Sequence, residues 1–147
     1  MEINFDPKST GMKMSNTYKS IVSIDVMSDI NILQSFSDSM IIYLDGYNMM
    51  TTRECYSELF KKLDFPDYFG YNLNALYDML TDLSWLSFRN LTLMIEKSYL
   101  LLSSETNEDR EVFLEILEDV AENWAVPINL GETWDRSAVV FRTILVE

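Results

Sequence analysis

One short run constrains the fold more than any other part of the chain. Met40-Ile41-Ile42-Tyr43-Leu44 is continuously apolar and is closed by the turn pair Asp45-Gly46. A strand that is apolar on both faces needs cover on both, the pattern of a parallel sheet packed under helices. Leu91-Thr92-Leu93-Met94-Ile95 is a second candidate strand. Ala138 to Val146, rich in β-branched residues, supplies a third.

Helical patterns lie between these strands. Thr51-x-x-Glu54 reads as a capping box, and Tyr56, Leu59, Phe60 and Leu63 follow as one apolar stripe. Pro66 stops that helix. After the loop Pro66-Asp67-Tyr68-Phe69-Gly70-Tyr71, Asn72 is a good N-cap for a second helix. Helical spacing puts Leu73, Leu76, Tyr77, Leu80 and Leu83 on its buried side and Tyr71, Asn74, Asp78 and Asp82 on the other. A third helix is expected from Thr106 or Asn107, with Phe113, Ile116, Leu117, Val120 and Trp124 inward. Glu111, Glu115, Glu118 and Glu122 then turn to water. The order β-α-α-β-α-β predicts an α/β fold, a small three-stranded parallel sheet covered by helices. Residues 39–147 make up this domain. Residues 1–38 read as an N-terminal extension: Ile21 to Val26 alternates like a strand, and Ile30 to Phe36 fits a short helix or a continued strand. A loop holding Pro127 and Gly131 joins Trp124 to Arg136.

Composition narrows the function. At 147 residues and 48% hydrophobic, the chain fits one domain with a real core. Its 24 acidic and 11 basic side chains give a net charge of -13. Such a surface repels nucleic-acid backbones and anionic membranes, and its natural partner is basic. No histidine is present, which removes histidine-based triads and most zinc sites. The lone Cys55 rules out an internal disulfide and cysteine-cluster metal sites, and suits a reducing cytoplasm. It reads as a small buried hydrophobe rather than a reactive thiol. The opening residues are acidic where a secretory signal is basic, and no run nears the roughly 20 apolar residues of a membrane span.

Paired carboxylates such as Asp78 with Asp82, or Asp64 with Asp67, are the types used for acid–base work or for Mg²⁺. A chain this acidic places such pairs by chance, and no Gly-rich phosphate loop or paired nucleophile accompanies them. The expectation is a non-enzyme with no cofactor and no metal. The acidic stretch from Glu105 to Glu122 reads as a solvated helix face whose field speeds encounter with a basic partner.

The segment from Pro66 to Leu80 is the most informative. Tyr68, Phe69, Tyr71 and Tyr77 crowd a loop and the first turns of a helix, interleaved with Asn72, Asn74 and Asp78. Tyrosines are typical of interface centres, and an aspartate among them is desolvated on binding. Phe69 fits a core role and a contact role equally.

Pro66-Asp67-Tyr68-Phe69-Gly70-Tyr71-Asn72-Leu73-Asn74-Ala75-Leu76-Tyr77-Asp78-Met79-Leu80-Thr81 closely resembles the signature of the barstar family, small acidic inhibitors of secreted bacterial ribonucleases. The resemblance implies three parallel strands under helices, and inhibition by plugging. The loop and helix from Tyr68 to Asp78 would enter a nuclease groove, with Asp78 in the place of a substrate phosphate. Gly70 and Asn72 match a turn glycine and a helix-capping asparagine, Tyr68 an aromatic that packs on the enzyme, and Tyr77 replaces a tryptophan. Asn74 stands where the best-known members carry a second aspartate. A further acidic contact falls near Asp109 or Glu111. The extension and the insertion from about Ala125 to Arg136 have no counterpart in the pattern. The implied protein is a monomeric, cytoplasmic immunity protein for a basic ribonuclease toxin; the alternative is the same scaffold turned on another basic partner, such as a DNase toxin.

Overall fold

The computed structural model describes residues 12–14, 18–24 and 38–147. Ile30 to Phe36 lies outside them. Five strands form one sheet: β1 (Met12–Met14), β2 (Ile21–Ile24), β3 (Ser39–Asp45), β4 (Asn90–Glu96) and β5 (Phe141–Val146), in the order β1-β2-β5-β4-β3. β2, β5, β4 and β3 are parallel, and β1 pairs antiparallel to β2. The parallel sheet therefore has four strands rather than three. The fourth is β2, which pairs Ile21 with Thr143 and Ile24 with Val146 along β5.

Three helices, α1 (Thr52–Lys62), α2 (Leu73–Asp82) and α3 (Asn107–Ala125), connect the strands in the expected order. Each start is capped by the residue its sequence offers. Thr51 and Glu54 close a full capping box on α1, Asn72 caps α2, and Thr106 with Asp109 makes a second box on α3. Asp109 is therefore occupied within its own helix start.

Leu91, Leu93 and Ile95 of β4, with Leu44, Phe141 and Leu145, pack on Leu59, Leu63, Leu76, Leu80, Leu117 and Val120 of the helices. Each fully buried leucine contributes roughly 1.5–3 kcal/mol by leaving water. β4 is buried from Leu91 through Ile95, as an all-apolar central strand should be. β3 departs from that expectation. It is the last strand in the order, and Met40 and Tyr43 remain 36% and 46% exposed.

Glu118 also differs from expectation. It is buried on α3 and accepts the backbone N–H of Lys19 at 2.6 Å, that of Ser20 at 3.1 Å, and the Ser20 hydroxyl. Glu111 accepts the Tyr18 hydroxyl at 2.9 Å. Residues 18–20 thus cover a helix flank that periodicity alone assigns to solvent. Burial and the Glu111 contact push the Tyr18 hydroxyl up to about 12. Among the described residues, no helix is long and apolar enough to cross a membrane.

A candidate protein-binding face

Residues 64–72 double back along α1. Asp64 takes a left-handed φ of 53°, the Phe65 N–H closes on the Phe60 carbonyl at 3.0 Å, and the Phe69 N–H closes on Pro66 at 3.1 Å. These turns drive Phe69 into the core, where it is 5% exposed. Its ring meets Phe65 at 5.0 Å, Tyr71 at 4.9 Å, Tyr56 at 5.8 Å and Phe60 at 6.4 Å. The contacts with Phe65 and Tyr56 are edge-to-face, and such aromatic pairs add about 0.5–1.5 kcal/mol beyond area burial.

Tyr71 holds a φ of 50°, a conformation that costs a non-glycine residue about 1 kcal/mol or more. Its ring is clasped by Phe69, Phe60 and Tyr56, with the Arg53 guanidinium 5.0 Å over its face. Tyr71 therefore belongs to the aromatic support, half-buried, and not to the outward stripe of α2. Asn72 then joins loop to helix: its Nδ2 donates to the Gly70 carbonyl at 3.1 Å, and its Oδ1 accepts the Ala75 N–H at 2.8 Å.

On this support stands an exposed set. Tyr68 is 71% exposed at the loop tip. Gly70 and Asn74 are exposed, Tyr77 is half-buried, and Asp78 is exposed on the middle turn of α2 with Asp82 one turn on. Leu76, Met79, Leu80 and Leu83 are buried beneath, while Leu73 is only partly so. A carboxylate is thus displayed on a helix whose underside is buried, after a loop that exposes Tyr68. Such an arrangement presents a negative charge at the surface on a rigid support. Cys55 lies fully buried on α1, and burial pushes its thiol well above the ordinary range.

The far end of α2 is held differently. Leu83 ends the helix in the left-handed conformation, its N–H bonded to Met79 at 3.1 Å. Arg136 reaches in from the loop after α3. Its Nη1 donates to the Thr81 carbonyl at 2.7 Å and its Nη2 to Asn123 Oδ1 at 2.8 Å, while the guanidinium lies 3.5 Å over the Trp124 ring. Trp124 in turn donates to the Leu80 carbonyl at 2.7 Å.

A family model described as Barstar (barnase inhibitor) matches residues 39–145. The chain belongs to the barstar family. A curated relative from Bacillus subtilis (strain 168), "Putative ribonuclease inhibitor YrdF", is 36% identical over 90 residues, covering 59% of this chain and 96% of the relative. The barstar match begins where β3 begins and ends within β5, so β1, β2 and the Tyr18–Ser20 contacts to α3 lie outside it. Of the residues the barstar signature points to, the fold gathers Tyr68, Asn74, Tyr77 and Asp78 around one loop and helix, and puts Phe69 beneath them. Asp109 and Glu111 are each engaged in contacts of their own.

Proposed function

We propose that this chain binds a basic ribonuclease of the toxin type and closes its active-site groove, with Asp78 standing in for an RNA phosphate. The observation that carries the reading is the exposed Asp78 carboxylate, held on a helix fixed at both ends, on a chain of net charge -13. A groove built for phosphates is lined by cations, and a carboxylate presented without ordering cost fits it. Tyr68 and Tyr77 flank the charge and exclude water, Asn74 adds a neutral hydrogen bond, and Gly70 and Asn72 fix the approach of the loop. The protein works as an immunity protein, monomeric and cytoplasmic, protecting the cell that makes the nuclease. It needs no metal or cofactor for this.

Asn74 supports a second reading, since a missing charge contact changes which basic partner fits; a DNase toxin is that alternative. RNA cleavage by barnase, followed with increasing amounts of the chain, tests the first. Cleavage should stop at a one-to-one ratio, with an association rate that falls as salt rises. Undiminished cleavage in excess chain overturns it, and protection of DNA from a basic DNase toxin would favour the second.

A further inference from the structure

The loop from 126 to 137 carries three of the most exposed apolar side chains on the described surface: Val126, Leu130 and Trp134, at 65%, 71% and 60%. It is nevertheless built. Ile128 and Arg136 form an antiparallel bridge, with N–H to carbonyl distances of 2.9 and 3.0 Å. The Asp135 carboxylate accepts the N–H groups of Leu130 at 3.0 Å and Gly131 at 2.8 Å, around a glycine with a φ of 77°. The apolar tip is thus ordered before any partner arrives, which removes an entropic cost from binding.

Its position decides its use. The Arg136 fork ties the loop to the Thr81 carbonyl, one turn beyond Asp78. A cleft of about 900 Å³ lies there, lined by Asp82, Arg89, Trp134 and Arg136 among others. Asp82 is the next member of the Asn74–Asp78–Asp82 stripe, so the cleft continues the candidate face rather than opening elsewhere. Trp134 in the cleft and the exposed Leu130 on the same loop offer apolar surface, and a segment that fits against them is apolar.

We propose that the loop 126–137 is a second contact surface for the same basic partner, with Trp134 and Leu130 seated against an apolar segment on the rim of its active-site groove. This rests on the inhibitor reading given above. The Asp78 face supplies charge, and the loop supplies apolar anchoring through an aromatic side chain of the type enriched among hot spots.

Barnase is the probe. Affinity and dissociation rate are measured for the unaltered chain and for Asp78→Ala, Trp134→Ala, Trp134→Phe and Leu130→Ser, each with a thermal melt. Trp134→Ala should weaken binding about tenfold or more, mainly through faster dissociation, with an unchanged melt because the side chain is exposed. Trp134→Phe should recover part of the loss, and Leu130→Ser should lose several-fold. Loss with Asp78→Ala but none with Trp134→Ala or Leu130→Ser overturns the inference and leaves the inhibitor reading standing. Absence of binding by the unaltered chain overturns both.

Discussion

The two ends of α2 are fixed by opposite means. At its N-terminus the chain is held by rings: Phe69, Tyr71, Tyr56, Phe60 and Phe65 interlock, and polar contacts only finish the cap. At its C-terminus the fixing is polar, through the Arg136 fork on the Thr81 carbonyl and the Trp124 bond to Leu80. The Asp135 clamp orders the attached loop, whose apolar side chains point outward. Apolar support does not titrate, whereas the Asp135 carboxylate clamp on the loop does. The candidate face therefore has one end that is insensitive to pH and, beside the other, a loop tip that responds to it.

The largest effect should come from the group that both ends serve. Asp78→Ala is expected to cost binding to a barnase-type ribonuclease about 4 kcal/mol or more, a thousandfold in affinity, while its exposed position leaves the melt unchanged. Titration calorimetry reads this directly, and an affinity within threefold of the unaltered chain would remove Asp78 from the site. Next comes the aromatic end. Phe69→Ala should destabilise the fold by about 3–5 kcal/mol in urea denaturation, since it empties a ring-lined site. A loss under 1 kcal/mol would mean the rings do not brace the loop.

The polar end should give less. Arg136→Met removes the hydrogen bonds to Thr81 and Asn123 and the ring contact, for about 1–3 kcal/mol. Amide exchange at Ile128 and Arg136 should quicken more than at Leu76, and equal changes at all three would contradict a local clamp. The smallest effect is acid loosening of the loop tip. The Leu130 N–H, with that of Gly131, holds the Asp135 carboxyl below the usual aspartate range. A lowered value in the folded state means the clamp is complete above the ordinary value of about 4 and is lost as pH falls through the lower folded one. The amide shifts of Leu130 and Gly131 followed against pH should titrate together below that ordinary value; a midpoint at or above it would discard the clamp.

The same contrast governs what could be read from the chain. Caps, the stripes of α1 and α3, and the order of three strands come from neighbours within a few residues, and Thr51, Asn72 and Thr106 announce their helices. The loop-and-helix string carried the family resemblance for the same reason. Features that depend on distant pairing did not show. Met40 to Leu44 is as apolar as a central strand, and only the strand order reveals it as an edge. Glu118 sits on the polar side of its helix by periodicity, yet meets Ser20 across 98 positions of chain. Arg136 finds Thr81 across 55. Trp134 and Leu130 were visible as apolar residues in a loop, but nothing local says that the loop folds back beside α2.

The placement of β5 has a consequence for how the molecule is made. It lies between β4 and β2, bonded to both, and is the last of the described strands to leave the ribosome. Until residues 141–146 are in place, no ladder joins β3 and β4 to β1 and β2. Completing the sheet thus requires a central strand to pair on both sides at once, a non-local step of the sort that slows folding and leaves edges open during synthesis.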